Sequence, residues 1–238
     1  MDNQQRPDTY YLRNSERILS ELESVFHLIE QAAAERFGTA FAASVTGSAL
    51  RRFKSLLPSL PYIGGDDNFF PTQNLVFGAA MLCFYQEMQS VGKTAQETGR
   101  MVYEATLAGS KTQLAAAADP EQVEHMSAVH RQSETFSAAH PYPFGWQTTF
   151  IEGNDQDFTW GVDYTSCGIH TLFRQHGAEE FLPYLCFLDL PGYQARGIGL
   201  VRTKTLSHGA DRCVFRFNLR GENRMEWYPD FYQQEDAS

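Results

Sequence analysis

Apolar residues recur at helical spacing through the first half of this chain and alternate with polar ones in part of the second. From Asn14 or Ser15, each able to cap a helix by accepting a backbone N–H, the residues Ile18, Leu19, Leu22, Val25, Phe26 and Ile29 fall on one face, and the pattern stops at Gly38. A second helix is predicted over residues 41–57, ended by Pro58. Residues 58–68 read as a loop by their Pro, Gly and Asx content, although they carry unusually large side chains. A fuller apolar run over 75–88 predicts a central helix. After Gly92 another runs from Thr94 to about Ala118, where Thr94 and Glu97 have capping-box spacing. Asp119 as N-cap and Pro120 behind it open one more short helix to about Ala138.

The character then changes. Residues 146–150 and 158–164 alternate large β-formers with polar residues around a turn at 152–155, the pattern of a β-hairpin. Helices over 166–175 and 179–188 and strands over 198–205 and 212–219 complete the reading. The predicted class is α+β: a helical portion over 1–140, then a portion over 141–238 with an antiparallel sheet and short helices, the two forming one compact unit. The aromatic tail 227–232 is expected to dock on the body, and residues 233–238 to fray. A homodimer, if one forms, would use that tail or the N-terminal helix.

Composition narrows the function classes. The chain has 238 residues, 42% of them hydrophobic, enough for a packed core. Nineteen Lys and Arg against 29 Asp and Glu give a net charge of −10, which disfavours nucleic acid as a partner. The one dense basic cluster, Arg51, Arg52 and Lys54, is too short to alter that. No run approaches the roughly 18 apolar residues of a membrane span, and the polar start does not resemble a signal peptide. A cytoplasmic protein without a membrane partner is expected, its four cysteines present as thiols.

Three of those cysteines stand beside polar partners: Tyr164 with Cys167 and His170, Cys186 with Asp189, and Arg202, Thr203 and His208 with Cys213. Cys167 falls at a helix N-terminus, where the helix dipole lowers a thiol pKa. Cys83 and Cys213 read as core positions. Asp189 and Arg202 suit structural ion pairing as well as chemistry, and His208 beside Gly209 suits a turn. The histidines His125, His130 and His140 lack a metal-binding spacing and read as solvated. The thiols lie too far apart in sequence to define a metal site, so no metal and no cofactor is predicted.

These segments resemble the L-2-amino-thiazoline-4-carboxylic acid hydrolase family. The likeness rests on Asp163-Tyr164 followed by Cys167, Leu185-Cys186 with Asp189, Arg202-Thr203 leading to His208-Gly209, and Cys213-x-Phe215-x-Phe217. The loop from Leu60 through Tyr62 to Gly64 and the pairs Gly99-Arg100 and Tyr103-Glu104 extend it, so that it spans about residues 15–220. The resemblance implies a small-molecule substrate, a cyclic amidine-like ring opened by water at a C–N or C–S centre to give an N-carbamoyl amino thiol. Two departures bear on the substrate: His170-Thr171 stands where the family pattern often has a small or thiol residue and a lysine, and Pro191-Gly192-Tyr193 after Asp189 is local to this chain.

Ring opening needs a nucleophile at the amidine carbon and acid assistance at the leaving atom. Either Cys167 attacks as thiolate, with Cys186 nearby, or Asp189 or Glu104 activates a water. Arg202 or Arg100 supplies a fork for a substrate carboxylate, with Tyr62, Tyr164, His170, Thr203, His208 and Cys213 around it. A family-fold enzyme recruited to another ring in a biosynthetic pathway would have the same sequence signature. The competing class is a non-enzymatic module for a small apolar ligand, similar to vinyl-reductase-type domains, with Phe69, Phe70, Phe77, Phe84, Tyr85, Tyr62 and Trp160 lining its cavity.

Overall fold

The structure, a computed structural model, describes residues 10–110, 118–154 and 156–233. Its elements run α1 (Tyr10–Arg13), α2 (Ser15–Phe37), α3 (Thr39–Leu56), α4 (Phe69–Ser90), α5 (Ala95–Ser110), α6 (Pro120–Ala139), β1 (Gln147–Glu152) and β2 (Trp160–Ser166). They continue α7 (Gly168–Gln175), α8 (Leu182–Phe187), α9 (Asp189–Gln194), β3 (Gly199–Lys204), β4 (Cys213–Asn218), β5 (Arg224–Met225) and α10 (Asp230–Gln233). The fold is α+β. The parts of the sequence reading that concern residues 111–117, within the helix expected to reach Ala118, and the frayed end over 234–238 lie outside the described residues.

Helix α4 is the axis of the helical half. It is apolar nearly all round, with Leu75, Ala79, Met81, Leu82, Phe84 and Met88 all fully buried, so it packs against α3, α5 and α7. Cys83 is buried in the same core. The two-way capping box is made: Glu97 N–H donates to Thr94 Oγ1 at 3.1 Å, and Thr94 N–H to Glu97 Oε2 at 2.9 Å. Asp119 likewise accepts from Glu121 N–H at 3.0 Å. Asn14 does not cap as expected; its side-chain amide donates back to the Tyr10 carbonyl, because the short helix α1 already supplies carbonyls to the start of α2.

The sheet has the order β1-β2-β4-β3-β5. Its first four strands pair antiparallel as expected, but β5 pairs parallel to β3, so the sheet is mixed at one edge. Two residues are too few for an alternation to show in sequence. On one face the register aligns Tyr164 with Cys213, and Arg202 with Phe215, in adjacent rows. Helix α6 covers β1, and α9 lies against β3. The helix α9 has no counterpart among the elements expected from the sequence. Pro191 sits in its first turn, where a missing N–H leaves no intrahelical bond unmade.

Two apolar cores result. One joins α2 to α4 with α7 and α8; the other joins the sheet to Tyr103 of α5, Val123 of α6 and Phe231 of α10, and Tyr184 and Leu188 pack against both. The aromatic tail docks in the second, Phe231 against Tyr103 and Trp227 against Tyr184. One histidine overturns the solvated reading. The His130 ring lies stacked on Phe217 and accepts from Trp160 Nε1–H at 3.0 Å, and burial pulls its pKa down to about 4. No helix among the described residues is long and apolar enough to cross a membrane.

Candidate active site

Where the helical half meets the sheet there is a cavity of about 560 Å³. The sheet contributes Tyr164, Arg202, Cys213 and Phe215 to its wall. The chain on either side contributes Cys167 just before α7, His170 of α7, Cys186 of α8 and Asp189 of α9, while α2, α4 and α5 close it with apolar side chains such as Ile29, Phe77 and Val102. Strand alternation selects the sheet residues, and the break between β2 and α7 turns Cys167 inward as the residue that precedes the helix. Gly168 permits that turn: a Cβ there would stand 2.2 Å from the Phe144 carbonyl oxygen and 2.9 Å from the Trp146 ring.

Arg202 is the electrostatic centre of the floor. Only 1% exposed, it donates to Asp189 Oδ2 at 2.8 Å, to the Cys186 carbonyl at 2.6 Å and to Glu226 Oε2 at 3.4 Å, and it rests on the Phe215 ring. Two carboxylates therefore share one guanidinium. Asp189 keeps two fifths of its side-chain surface open to the cavity, and its Oδ1 makes no hydrogen bond among the described residues. Burial pushes its carboxyl above the usual range, outweighing the pull of Arg202.

The thiols respond in the same direction. Burial pushes Cys167 up to about 12 and Cys213 to about 11, and Cys186 further still. This corrects the expectation of an acidified Cys167. The N–H groups of His170 and Ile169 at the start of α7 do favour its thiolate, but desolvation is the larger effect and the Asp189 and Cys213 charges add to it. The phenol of Tyr164 is raised by burial with Tyr193 and Asp189 nearby. His170 is lowered by burial and by Arg174, so the imidazole is neutral at pH 7.

The cavity thus brings together Cys167, Cys186, Cys213, Tyr164, His170, Asp189 and Arg202. Other expected site residues lie elsewhere. Glu104 is bound to Arg36 at 2.5 Å and to Arg100 at 3.0 Å on the flank of α5, an ion triad that removes both Glu104 and Arg100 from the cavity wall. Tyr62 stands between Tyr10 and Tyr142 in the loop before α4. Thr203 occupies a bulge opposite β4 that sends it outward to solvent, and His208 sits outside the wall on Thr205 and Trp227. Of the aromatic residues considered for an apolar ligand, Phe77 lines the cavity, while Phe84, Tyr85 and Trp160 are core.

Sequence reasoning missed Glu226, Asn74 and Arg196, the last two on the wall itself. A helical stripe held the signal for Arg196: Asp189, Gly192, Tyr193 and Arg196 follow one another at the spacing of a single helix face. Among the described residues no three His, Cys, Asp or Glu side chains come together to hold a metal ion.

These features define an α+β protein with an enclosed polar floor of thiols and carboxylate beneath an apolar roof. The chain belongs to the L-2-amino-thiazoline-4-carboxylic acid hydrolase family, whose model matches residues 73–217, more than half of its length. Membership suggests a hydrolase of that type. The match runs from α4 to β4 and contains every thiol and charged group of the cavity wall; the Tyr62 loop, part of the expected resemblance, lies outside it. Neither the curated proteins nor the solved structures contain a match.

Proposed function

We propose that this protein opens a 2-aminothiazoline-type ring by hydrolysis, with Cys167 as nucleophile and Asp189 as proton carrier. The observation that carries this reading is the open carboxylate oxygen of Asp189 on the cavity floor. Asp189, held to Arg202 through Oδ2, offers an Oδ1 that makes no hydrogen bond among the described residues, on the wall that also carries Cys167, Cys186 and Cys213. That oxygen is an acceptor for the N–H groups of a protonated cyclic amidine. Placed against Asp189 Oδ1, the amidinium makes a charge-assisted hydrogen bond and draws down the pKa of the neighbouring thiol.

The steps then balance. The Cys167 sulfur bonds to the amidine carbon, the bond from that carbon to the ring sulfur breaks, and the thiol proton passes through Asp189 to the departing sulfur. Water adds to the same carbon of the resulting isothiouronium, Asp189 accepts its proton and returns it to the Cys167 sulfur as that C–S bond breaks, and collapse of the tetrahedral centre to the urea releases the amidinium proton. The product is an N-carbamoyl amino thiol, the substrate having gained one water. Cys186 and Cys213 complete the wall, Cys213 being held by the Leu206 N–H at 3.3 Å.

The test is incubation of the purified protein with 2-aminothiazoline-4-carboxylic acid, followed by thiol titration and product mass. The reading expects one new small-molecule thiol per product and a mass gain of one water. Folded protein that yields neither with this compound overturns it.

A further inference from the structure

A second cavity of about 460 Å³ adjoins the first, and the two share Asn74, Trp146, Tyr164, Asp189, Gly192 and Arg196 among their lining residues. Beyond that shared wall it is bounded by Phe70, Pro71, Met126 and Val129, with Gln122 and His125 in its lining. Its walls belong mainly to α4, α6 and α9, and α9 carries the Pro191-Gly192-Tyr193 segment that departs from the family pattern. Gly192 leaves the passage between the compartments without a side chain, and Tyr193 faces the second one.

Arg196 stands at the junction. One guanidinium N–H is tied to the Gly192 carbonyl at 2.5 Å, and it has no carboxylate partner among the described residues. It differs in this from Arg202, which two carboxylates already neutralise. His170 on the same wall has its pKa lowered by burial, so its imidazole supplies no cation for a substrate carboxylate at neutral pH. Arg196 is the unpaired cation on the same wall.

We propose that the substrate is longer than a bare thiazoline amino acid: its carboxylate lies on Arg196 at the junction, and an apolar substituent of aryl size fills the second compartment. The substrate is then read by polarity from end to end, amidinium on Asp189, carboxylate on Arg196, and apolar group among Phe70, Met126, Val129 and Trp146. Phe70, 43% exposed beside the His125 ring, forms part of the outer wall of that compartment. This inference rests on the ring-opening reading for its orientation.

The experiment compares three probes by calorimetric binding and by turnover: 2-aminothiazoline-4-carboxylic acid, its 5-phenyl derivative, and the 5-phenyl compound without the carboxylate. The 5-phenyl acid is expected to bind at least tenfold more tightly than the parent. Arg196→Met is expected to bring the ratio of acid to decarboxylated affinity down to near one. Val129→Trp, and Gln122→Trp in the same lining should the first variant misfold, are expected to abolish the preference for phenyl over parent. Equal affinity for parent and 5-phenyl acid, or an Arg196→Met variant that weakens both phenyl probes alike, overturns the proposal. Selective binding without turnover of any probe would remove the hydrolytic reading and leave this one standing. Turnover without selectivity would do the reverse, and failure of all probes to bind would remove both.

Discussion

Replacing Arg202 by Met isolates the charge that holds the cavity floor together. The methionine keeps an apolar stem against Phe215, so what is lost is the guanidinium shared by Asp189, Glu226 and the Cys186 carbonyl. Removing one partner from a buried ion pair costs about 3–5 kcal/mol, because the remaining charge stays buried without compensation. The lower end applies here, since Asp189 has two fifths of its side chain open to the cavity and water reaches it. A loss of about 3 kcal/mol lowers Tm by roughly 6–12 °C for a chain of this size. The pH dependence has a definite sign. Without Arg202 the Asp189 carboxyl, already raised by burial, rises further above its unfolded value. The folded state then favours the protonated form, so the penalty is fullest at high pH and shrinks as pH falls through the raised pKa. Urea denaturation of wild type and Arg202→Met at pH 8 and pH 5 measures it. A difference below about 1 kcal/mol at pH 8, the range of an exposed pair, or a difference that grows at pH 5, would refute the assignment of Arg202 as the buried keystone of the site.

Three further outcomes follow from the same geometry. With Cys167 raised to about 12, its alkylation by iodoacetamide should climb about tenfold per pH unit from pH 8 to 10, read by peptide mass mapping; a plateau below pH 9 would mean an acidified thiol. Gly168→Ala forces a Cβ to within 2.2 Å of the Phe144 carbonyl oxygen, and denaturation should show a loss of about 2 kcal/mol together with reduced ring opening, as the start of α7 shifts. His130 has a folded pKa of about 4 against 6.5 for the free imidazole, so the unfolded chain binds the proton first and stability falls as pH drops below 6.5. At pH 5 the deficit reaches about 2 kcal/mol, and His130→Gln should remove that part of the pH dependence in urea titrations.

The helical half was legible because its signals are local. The Ile18 to Ile29 stripe, the Thr94–Glu97 box and the Asp119-Pro120 start each specify an element from residues within a few positions of one another. The hairpin and strands β3 and β4 followed from alternation in the same way. What escaped depends on tertiary context. Strand β5 exists only because Arg224 and Met225 meet β3, and α9 forms across Pro191 because its other side lies against β3 and α5. The thiols, Asp189 and Arg202 stood out in sequence as motifs, but their electrostatics did not. A helix N-terminus predicts an acidified Cys167, and only the depth of the cavity reverses the sign. Glu104 and Arg100 looked chemical by type and pair with each other and Arg36 on a helix flank, where no spacing rule could have placed Arg36. Arg196 was missed because its signal, the spacing from Asp189 through Gly192 and Tyr193, has meaning only once residues 189–194 are known to be helical.

Attack of Cys167 on the ring is read from kcat/KM of Cys167→Ala with 2-aminothiazoline-4-carboxylic acid, measured by release of the new thiol. The nucleophilic role predicts a fall of at least about a thousandfold, with the denaturation midpoint close to that of wild type. Turnover within tenfold of wild type would contradict it, and would assign the attack to a water activated by Asp189.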